Sequence, residues 1–147
     1  MDDHPHDARG DPFDLQRFVD AQRDVFARVE AELREGHKSS HWMWFVFPQI
    51  AGLGQSPTSR WFAISSLEEA RAYLRHRVLG PRLIECACIV AETEGRTAEE
   101  IFGAVDALKL RSSMTLFLRA APSEAVFGQV LGRYFDALAD PATDRLL

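Results

Sequence analysis

Apolar side chains recur at steps of three and four residues along much of this 147-residue chain, and this spacing limits the possible folds more than any other feature. It gives a helix of 3.6 residues per turn one apolar stripe. No two convincing alternating runs are present that could pair as strands. The sequence therefore predicts an all-α protein. The stripe is clearest in the first predicted helix, residues 11–35, where it runs through Leu15, Phe18, Val19, Gln22, Phe26, Val29 and Leu33.

Capping side chains, glycines and prolines mark the predicted helix boundaries. Two pairs, Ser66 with Glu69 and Thr97 with Glu100, have the spacing of capping boxes. Asp106 is predicted to cap a helix over 107–120, and the Gly-Pro pair at 80–81 to separate two helices. We expect five to seven helices in one compact domain, an orthogonal-type bundle of residues 11–147, preceded by a loose tail at 1–10.

Composition excludes several classes of partner. The formal net charge of -5 opposes non-specific attachment to nucleic acid or to anionic lipid. The longest apolar runs, 42–47 and 86–91, fall short of the roughly 18 residues that span a bilayer. With no secretory signal, Cys86 and Cys88 indicate free thiols in a reducing compartment. We expect a cytoplasmic protein that binds neither nucleic acid nor membrane, and the sequence names no protein partner.

The segment 41–49 concentrates four aromatic rings beside one imidazole. His41 titrates near neutral pH and can hold a ligand or move a proton, or it can simply bond to backbone at a helix start. The rings of the segment, those of Trp42, Trp44, Phe45 and Phe47, can stack a flat ligand or pack in the core. His37 lies one turn before His41 but has no third ligand nearby, so we expect no metal site and no cofactor. Gln49 closes the segment with a polar side chain.

A loop with Gly52 and Gly54 follows and leads into Ser56 and Pro57. Such a turn can present the start of a helix, where free N–H groups receive anions. A dinucleotide-binding motif would need a third glycine at the position of Pro57, and that fold is therefore excluded. We expect Gly52, Gly54, Ser56 and Ser59 to contact a ligand, with an anionic group as the favoured chemistry.

A second polar cluster comprises Asp106, Lys109, Ser112 and Ser113. Steps of three and four residues predict that these side chains share one face of a helix, opposite the face of Leu110, Met114 and Phe117. A carboxylate, an ammonium group and two hydroxyls can orient a polar ligand. The alternative is a helix cap, a weak ion pair and hydroxyls that bond back to the preceding turn.

Several stretches together resemble a bacterial family named domain of unknown function eighteen-ten. The similarity spans residues 11–147, and its most specific parts are 40–49, 52–54, 69–74, 79–83, 101–103 and 106–117. The resemblance implies a mainly helical fold of its own type and brings no established activity with it. Members sometimes carry the label calpastatin, for which this sequence offers no support.

The first functional hypothesis is a pocket for a small nucleotide-like or anionic molecule. His41, Trp42 and Gln49, the 52–59 loop and the 106–113 face would form it. If the protein is an enzyme, His41 or Asp106 would handle protons and Lys109 would hold negative charge. One alternative is an interaction module without catalysis. Another is a hydrolase acting on ADP-ribose-type nucleotides, since helical proteins of that kind also combine aromatic, carboxylate and lysine groups, although no residue-by-residue match supports it.

Overall fold

The computed structural model describes residues 10–147 and confirms the all-α prediction. In this part of the chain there are ten helices and no strand, and one isolated parallel bridge joins Ile50 to Ile64. The helices are more numerous than expected because α3, α4 and α7 are single turns of four or five residues. The predicted tail lies outside the described residues except for Gly10. The helices are α1 Gln16–Gln22, α2 Phe26–Glu35, α3 Met43–Val46, α4 Pro57–Trp61, α5 Leu67–Arg75, α6 Leu79–Glu92, α7 Ala98–Phe102, α8 Ala104–Ala120, α9 Ala125–Tyr134 and α10 Pro141–Leu146.

The predicted helix over 11–35 is two helices, α1 and α2, because the backbone leaves helical geometry at Val25 (φ -123°, ψ -7°). The predicted start at residue 11 is too early: α1 begins at Gln16 without a side-chain cap, and the carboxylate of Asp11 accepts from the backbone N–H groups of Leu15 and Gln16 instead. The end is as expected, since Gly36 adopts the left-handed conformation (φ 72°) that favours glycine. The apolar stripe survives the break, and Phe18 and Val29 are fully buried.

Gly80 and Pro81 do not separate two helices, contrary to the prediction. Both lie in the first turn of α6, where a proline costs nothing because its missing N–H would have no partner within the helix. Gly80 is required by packing: a Cβ atom there would lie 2.1 Å from the carbonyl oxygen of Leu74 in α5. The pair therefore lets α6 begin in close contact with α5. The largely apolar α6 is central and packs against α2, α5 and α9.

The predicted cap of α8 is also wrong, because α8 begins at Ala104 and Asp106 lies inside its first turn. The preceding capping box is confirmed: Thr97 accepts from the N–H of Glu100, and Glu100 accepts from the N–H of Thr97. Asp140 caps α10, since its side chain accepts from the N–H of Thr143. In the other predicted box the hydroxyl of Ser66 does accept from the N–H of Glu69. The carboxylate of Glu69 does not return to the N–H of Ser66, because it accepts from Ser65 and Arg17.

The carboxylate of Glu69 ties the connection between α4 and α5 to α1. It accepts from the N–H of Ser65 at 2.8 Å and pairs with Arg17 at 2.9 Å. Arg17 also donates to the carbonyl oxygens of Trp61 and Ala63, so one guanidinium fixes most of the segment. Both charged side chains are almost completely buried. Their polar groups are satisfied by each other and by backbone, as burial of charge requires.

No helix among residues 10–147 is long and apolar enough to cross a bilayer.

We predict opposite effects of alanine at two helical glycines. Gly80→Ala should lower the free energy of unfolding by about 1–3 kcal/mol, because the new methyl group meets backbone that cannot rotate away. Gly128→Ala in α9 is the matched control: it has nothing within 4 Å of the new atom and should gain roughly 0.5–1 kcal/mol. Urea denaturation of the three proteins measures both changes. Equal stability of the two variants would contradict the close contact between α5 and α6.

Candidate functional site

The buried carboxylate of Glu32 fixes the start of the aromatic segment. Its Oε1 accepts from the backbone N–H groups of Ser39 (2.9 Å) and Ser40 (3.1 Å) and from the indole N–H of Trp42 (2.8 Å). Its Oε2 accepts from the Ser40 hydroxyl. Burial opposes the charge on Glu32, but the hydrogen bonds from Ser40, Ser39 and Trp42 outweigh it and lower the pKa to about 2. The segment after α2 is therefore held by an ionised side chain of α2 itself.

Asp106 lies between the chain's two lysines. Its Oδ2 pairs with Lys38 at 2.8 Å, and its Oδ1 pairs with Lys109 at 3.3 Å. Each ammonium group also lies over an indole ring, Lys38 at 5.0 Å from the centroid of Trp42 and Lys109 at 4.8 Å from that of Trp44. Lys38 is buried, with 6% of its side chain exposed, whereas Lys109 is 20% exposed. Lys109 is thus the cation of this cluster that solvent can reach.

A cavity of about 140 Å³, here called the inner cavity, opens between the aromatic segment and the α4 region. Trp44 and Phe62 form its aromatic walls, and the charged side chain of Arg60 also lines it. The polar groups come from Gln49 and Ser59. The side-chain amide of Gln49 has no hydrogen bond to any other side chain or backbone group in the described region, so it can still donate and accept.

A second concavity of about 330 Å³, the outer cavity, adjoins the first and shares Gln49, Gly54 and Ser59 with it. Its remaining wall comes from α8 and from the start of α10. This wall carries two cations, one carboxylate, one hydroxyl and apolar side chains. The side chains are Lys109, Arg111, Ser112, Asp140, Val105 and Leu108. We call the two cavities together the groove.

Close backbone packing sets the shape of the loop between the cavities. A Cβ atom on Gly54 would lie 2.5 Å from the Cβ of Ser59, so only glycine lets the loop approach α4 this closely. Gly52 has φ 106°, a conformation that favours glycine, and its Cα faces the side chain of Leu146 in α10. At the base, the N–H of Ala51 donates to Ile64 at 2.8 Å. The loop is therefore fixed by its contacts with α4, with α10 and with Ile64.

The groove brings together six of the eleven side chains or glycines that the sequence suggested. They come from the loop and from α8, as the hypothesis of a shared concave surface requires. They are Gln49, Gly52, Gly54, Ser59, Lys109 and Ser112. Asp106 lies behind them and contacts Lys109 without lining either cavity.

Four other suggested residues are not in the groove. His41 is exposed and lines neither cavity, and Trp42 is 1% exposed and held by Glu32 in the core. Ser56 is exposed and caps α4 by accepting from the N–H of Ser59. Ser113 is fully buried, and its hydroxyl has no hydrogen-bond partner in the described part of the protein. None of these four contributes a side chain to either cavity.

The prediction that the two serines lie opposite the apolar face of α8 is wrong. Ser112 and Ser113 are both buried because the middle of α8 is covered on nearly all sides. The Ser112 hydroxyl bonds to the carbonyl of Leu108 (3.1 Å), as in the alternative interpretation, and also to the carboxylate of Asp140 (3.1 Å).

Sequence reasoning missed Arg111, Asp140 and Lys38, and it did not single out Trp44 from the neighbouring rings. Trp44 belongs to the aromatic segment 41–49. The helix there has only four residues, too few for a repeat that would show that Trp42 is buried and that Trp44 lines the groove. Lys38 lies next to that segment and is one of only two lysines in the sequence, and this rarity could have marked it as a candidate. Arg111 and Asp140 are 29 positions apart and meet the groove only through the packing of α10 on α8.

Comparisons with known proteins agree on the family and the fold. The family model described as "Protein of unknown function (DUF1810)" matches residues 12–147, which confirms the resemblance noted from the sequence. The chain is also similar to the crystal structure of the conserved hypothetical protein Rv1873 from Mycobacterium tuberculosis, with 55% identity and a TM-score of 0.92. That similarity covers 93% of this chain and 98% of the other. No match was found among the curated proteins.

We predict that Glu32 makes stability depend on acid pH. Its pKa is about 2 in the folded protein, against an ordinary value of 4.5. The stabilisation is therefore complete above the ordinary value and is lost as pH falls from about 5 towards 2, by about 3 kcal/mol in total. Glu32→Gln should remove this part of the pH dependence and lower the free energy of unfolding at pH 7. Urea denaturation across that pH range measures it.

The matched control is Glu94→Gln, which removes an exposed carboxylate outside the groove. It should leave the acid limb of the stability curve unchanged. If Glu32→Gln also leaves the loss of stability at acid pH unchanged, the Glu32 carboxylate does not hold the segment after α2.

Proposed function

The chain belongs to the DUF1810 family of proteins of unknown function, which names no ligand, so we propose one from the groove: a small anionic molecule with a planar ring, such as a nucleotide. One observation carries the proposal, namely that an aromatic cavity adjoins one that carries two cations, and the two cavities share polar residues. The inner cavity offers Trp44 and Phe62, and the outer cavity offers Lys109 and Arg111. A single ligand with a flat end and a charged end complements both.

The dimensions of the inner cavity support a planar ring as its occupant. An apolar protein cavity of about 150 Å³ holds a benzene molecule, and the inner cavity has about 140 Å³. Aromatic side chains stabilise a stacked base by roughly 1–3 kcal/mol. Gln49 can donate to and accept from the edge of such a ring, while the hydroxyl of Ser59, which already accepts from Ser56 at 2.9 Å, keeps its own proton to donate.

Charge supports an anionic group in the outer cavity. The ammonium of Lys109 is shared with Asp106 at 3.3 Å and with the ring of Trp44, so it is positioned without being fully neutralised. Arg111 has no carboxylate within ion-pair distance among residues 10–147. Both cations hold fixed positions before any ligand arrives, which reduces the entropy cost of binding.

The geometry favours binding over catalysis at this groove. His41, the first choice as proton carrier, lies outside both cavities, and each oxygen of Asp106 faces a lysine. The hydrolytic alternative consequently has no positioned acid or base from the residues first considered. We therefore restrict the proposal to ligand binding.

Isothermal titration calorimetry with adenosine and uridine 5′-monophosphates tests the proposal, and a thermal-shift screen of other phosphorylated metabolites extends it. We expect binding by the wild type and a roughly 10-fold weaker affinity for Lys109→Ala, as expected for the loss of one hydrogen bond to a charged group. Arg133→Ala removes a positive charge outside the groove and should bind like the wild type. Absence of binding to every anionic ring compound, or equal loss in both variants, would contradict the proposal.

The interaction-module alternative has one observation in its favour. Val105 and Leu108, at the rim of the outer cavity, are 68% and 65% exposed, which is unusual for large apolar side chains side by side on a helix. In our proposal they border the ligand. Self-association through this rim would instead appear as concentration-dependent sedimentation that Leu108→Ser abolishes, with nucleotide binding absent.

A further inference from the structure

The outer cavity contains two opposite charges that do not neutralise each other. Arg111 and Asp140 both line it, yet they form no ion pair in the described structure. The guanidinium of Arg111 donates instead to the carbonyl oxygens of Leu138 (2.9 Å) and Ala139 (2.8 Å). These neutral acceptors fix its position and leave its charge in place. The remaining N–H groups of its planar fork suit the oxygens of a phosphate.

Asp140 is held rigidly through one of its two carboxylate oxygens. Its Oδ2 accepts from the hydroxyl of Ser112 (3.1 Å) and from the N–H (3.1 Å) and hydroxyl (2.6 Å) of Thr143. Its backbone N–H donates to the hydroxyl of Thr115 at 2.9 Å. No hydrogen bond from residues 10–147 reaches Oδ1. A fixed carboxylate in a cavity therefore keeps one oxygen for an external donor.

We propose that the outer cavity binds the phosphorylated sugar of a nucleotide, with Asp140 Oδ1 accepting from a ribose hydroxyl while Arg111 and Lys109 hold the phosphate. This inference rests on the proposed function and specifies its ligand. Arg111 and Lys109 line the same cavity, and their positive charges disfavour an ammonium group beside Asp140, so a neutral hydroxyl is the better partner for Oδ1. The groove should accordingly prefer ribonucleotides to nucleotides that lack sugar hydroxyls, and nucleotides to nucleosides.

Isothermal titration calorimetry of the full chain with three probes tests this specificity. The probes are adenosine 5′-monophosphate, its 2′,3′-dideoxy analogue and adenosine. A hydrogen bond to a charged group changes affinity by roughly 10- to 100-fold, so the wild type should bind the monophosphate at least 10 times more tightly than the dideoxy analogue. In Asp140→Asn this ratio should approach one. Arg111→Gln should weaken binding of the monophosphate and leave that of adenosine nearly unchanged.

Glu94→Gln, which removes a carboxylate outside the groove, should keep the wild-type ratio. Equal affinity of the wild type for the monophosphate and its dideoxy analogue overturns the inference, whether or not the Asp140 variant folds, because that comparison uses the wild type alone. Binding of a zwitterionic amino acid such as L-glutamate in place of nucleotides also overturns it. If nucleotides fail but another anionic ring compound binds, the proposed function stands and this inference alone is wrong.

Discussion

The ionised carboxylate of Glu32 is the interaction on which the rest of the site depends. It turns the chain back after α2, and it takes the indole of Trp42 into the core through a 2.8 Å hydrogen bond. The single turn of α3 follows directly, so the direction of Trp42 determines that Trp44 faces the other way, towards the groove. A buried charge is tolerated here because four donors surround it. The aromatic wall of the groove thus depends on a side chain that does not touch it.

The groove is assembled from segments distant in sequence, and close packing contacts hold these segments in place. Gly54 packs on Ser59, Gly52 lies against Leu146, and the bridge between Ile50 and Ile64 closes the loop at its base. On the opposite side, Arg119 and Asp144 pair through two hydrogen bonds of 2.9 Å and hold α10 on α8. Preorganised polar groups bind ligands at a lower entropy cost than mobile ones. The site is therefore built on fixed elements although two loops contribute to it.

The fold class and some helix ends could be predicted because they depend on local spacing and on caps. The end of α2 at Gly36 and the capping box of Thr97 with Glu100 are both of this kind. The placement of Gly80 inside α6 could not, because its close contact with Leu74 of α5 decides it. The break at Val25 could not either, because no side-chain cap marks the start of α2. The same limit applied to the site. The loop residues were found from composition, whereas Asp140 reaches the groove through contacts made far along the chain, and a one-turn helix hides which tryptophan faces outward.

Lys38 and Lys109 are the chain's two lysines, and both lie against one carboxylate. Apart from the α-amino group, every primary amine of the protein is consequently in this cluster, one of them shielded and one at the cavity wall. Among lysine side chains, acylating reagents that modify surfaces broadly in other proteins would report here on this one cluster. The rate at which Lys109 reacts, followed by mass spectrometry, becomes a direct measure of whether anything occupies the space beside it.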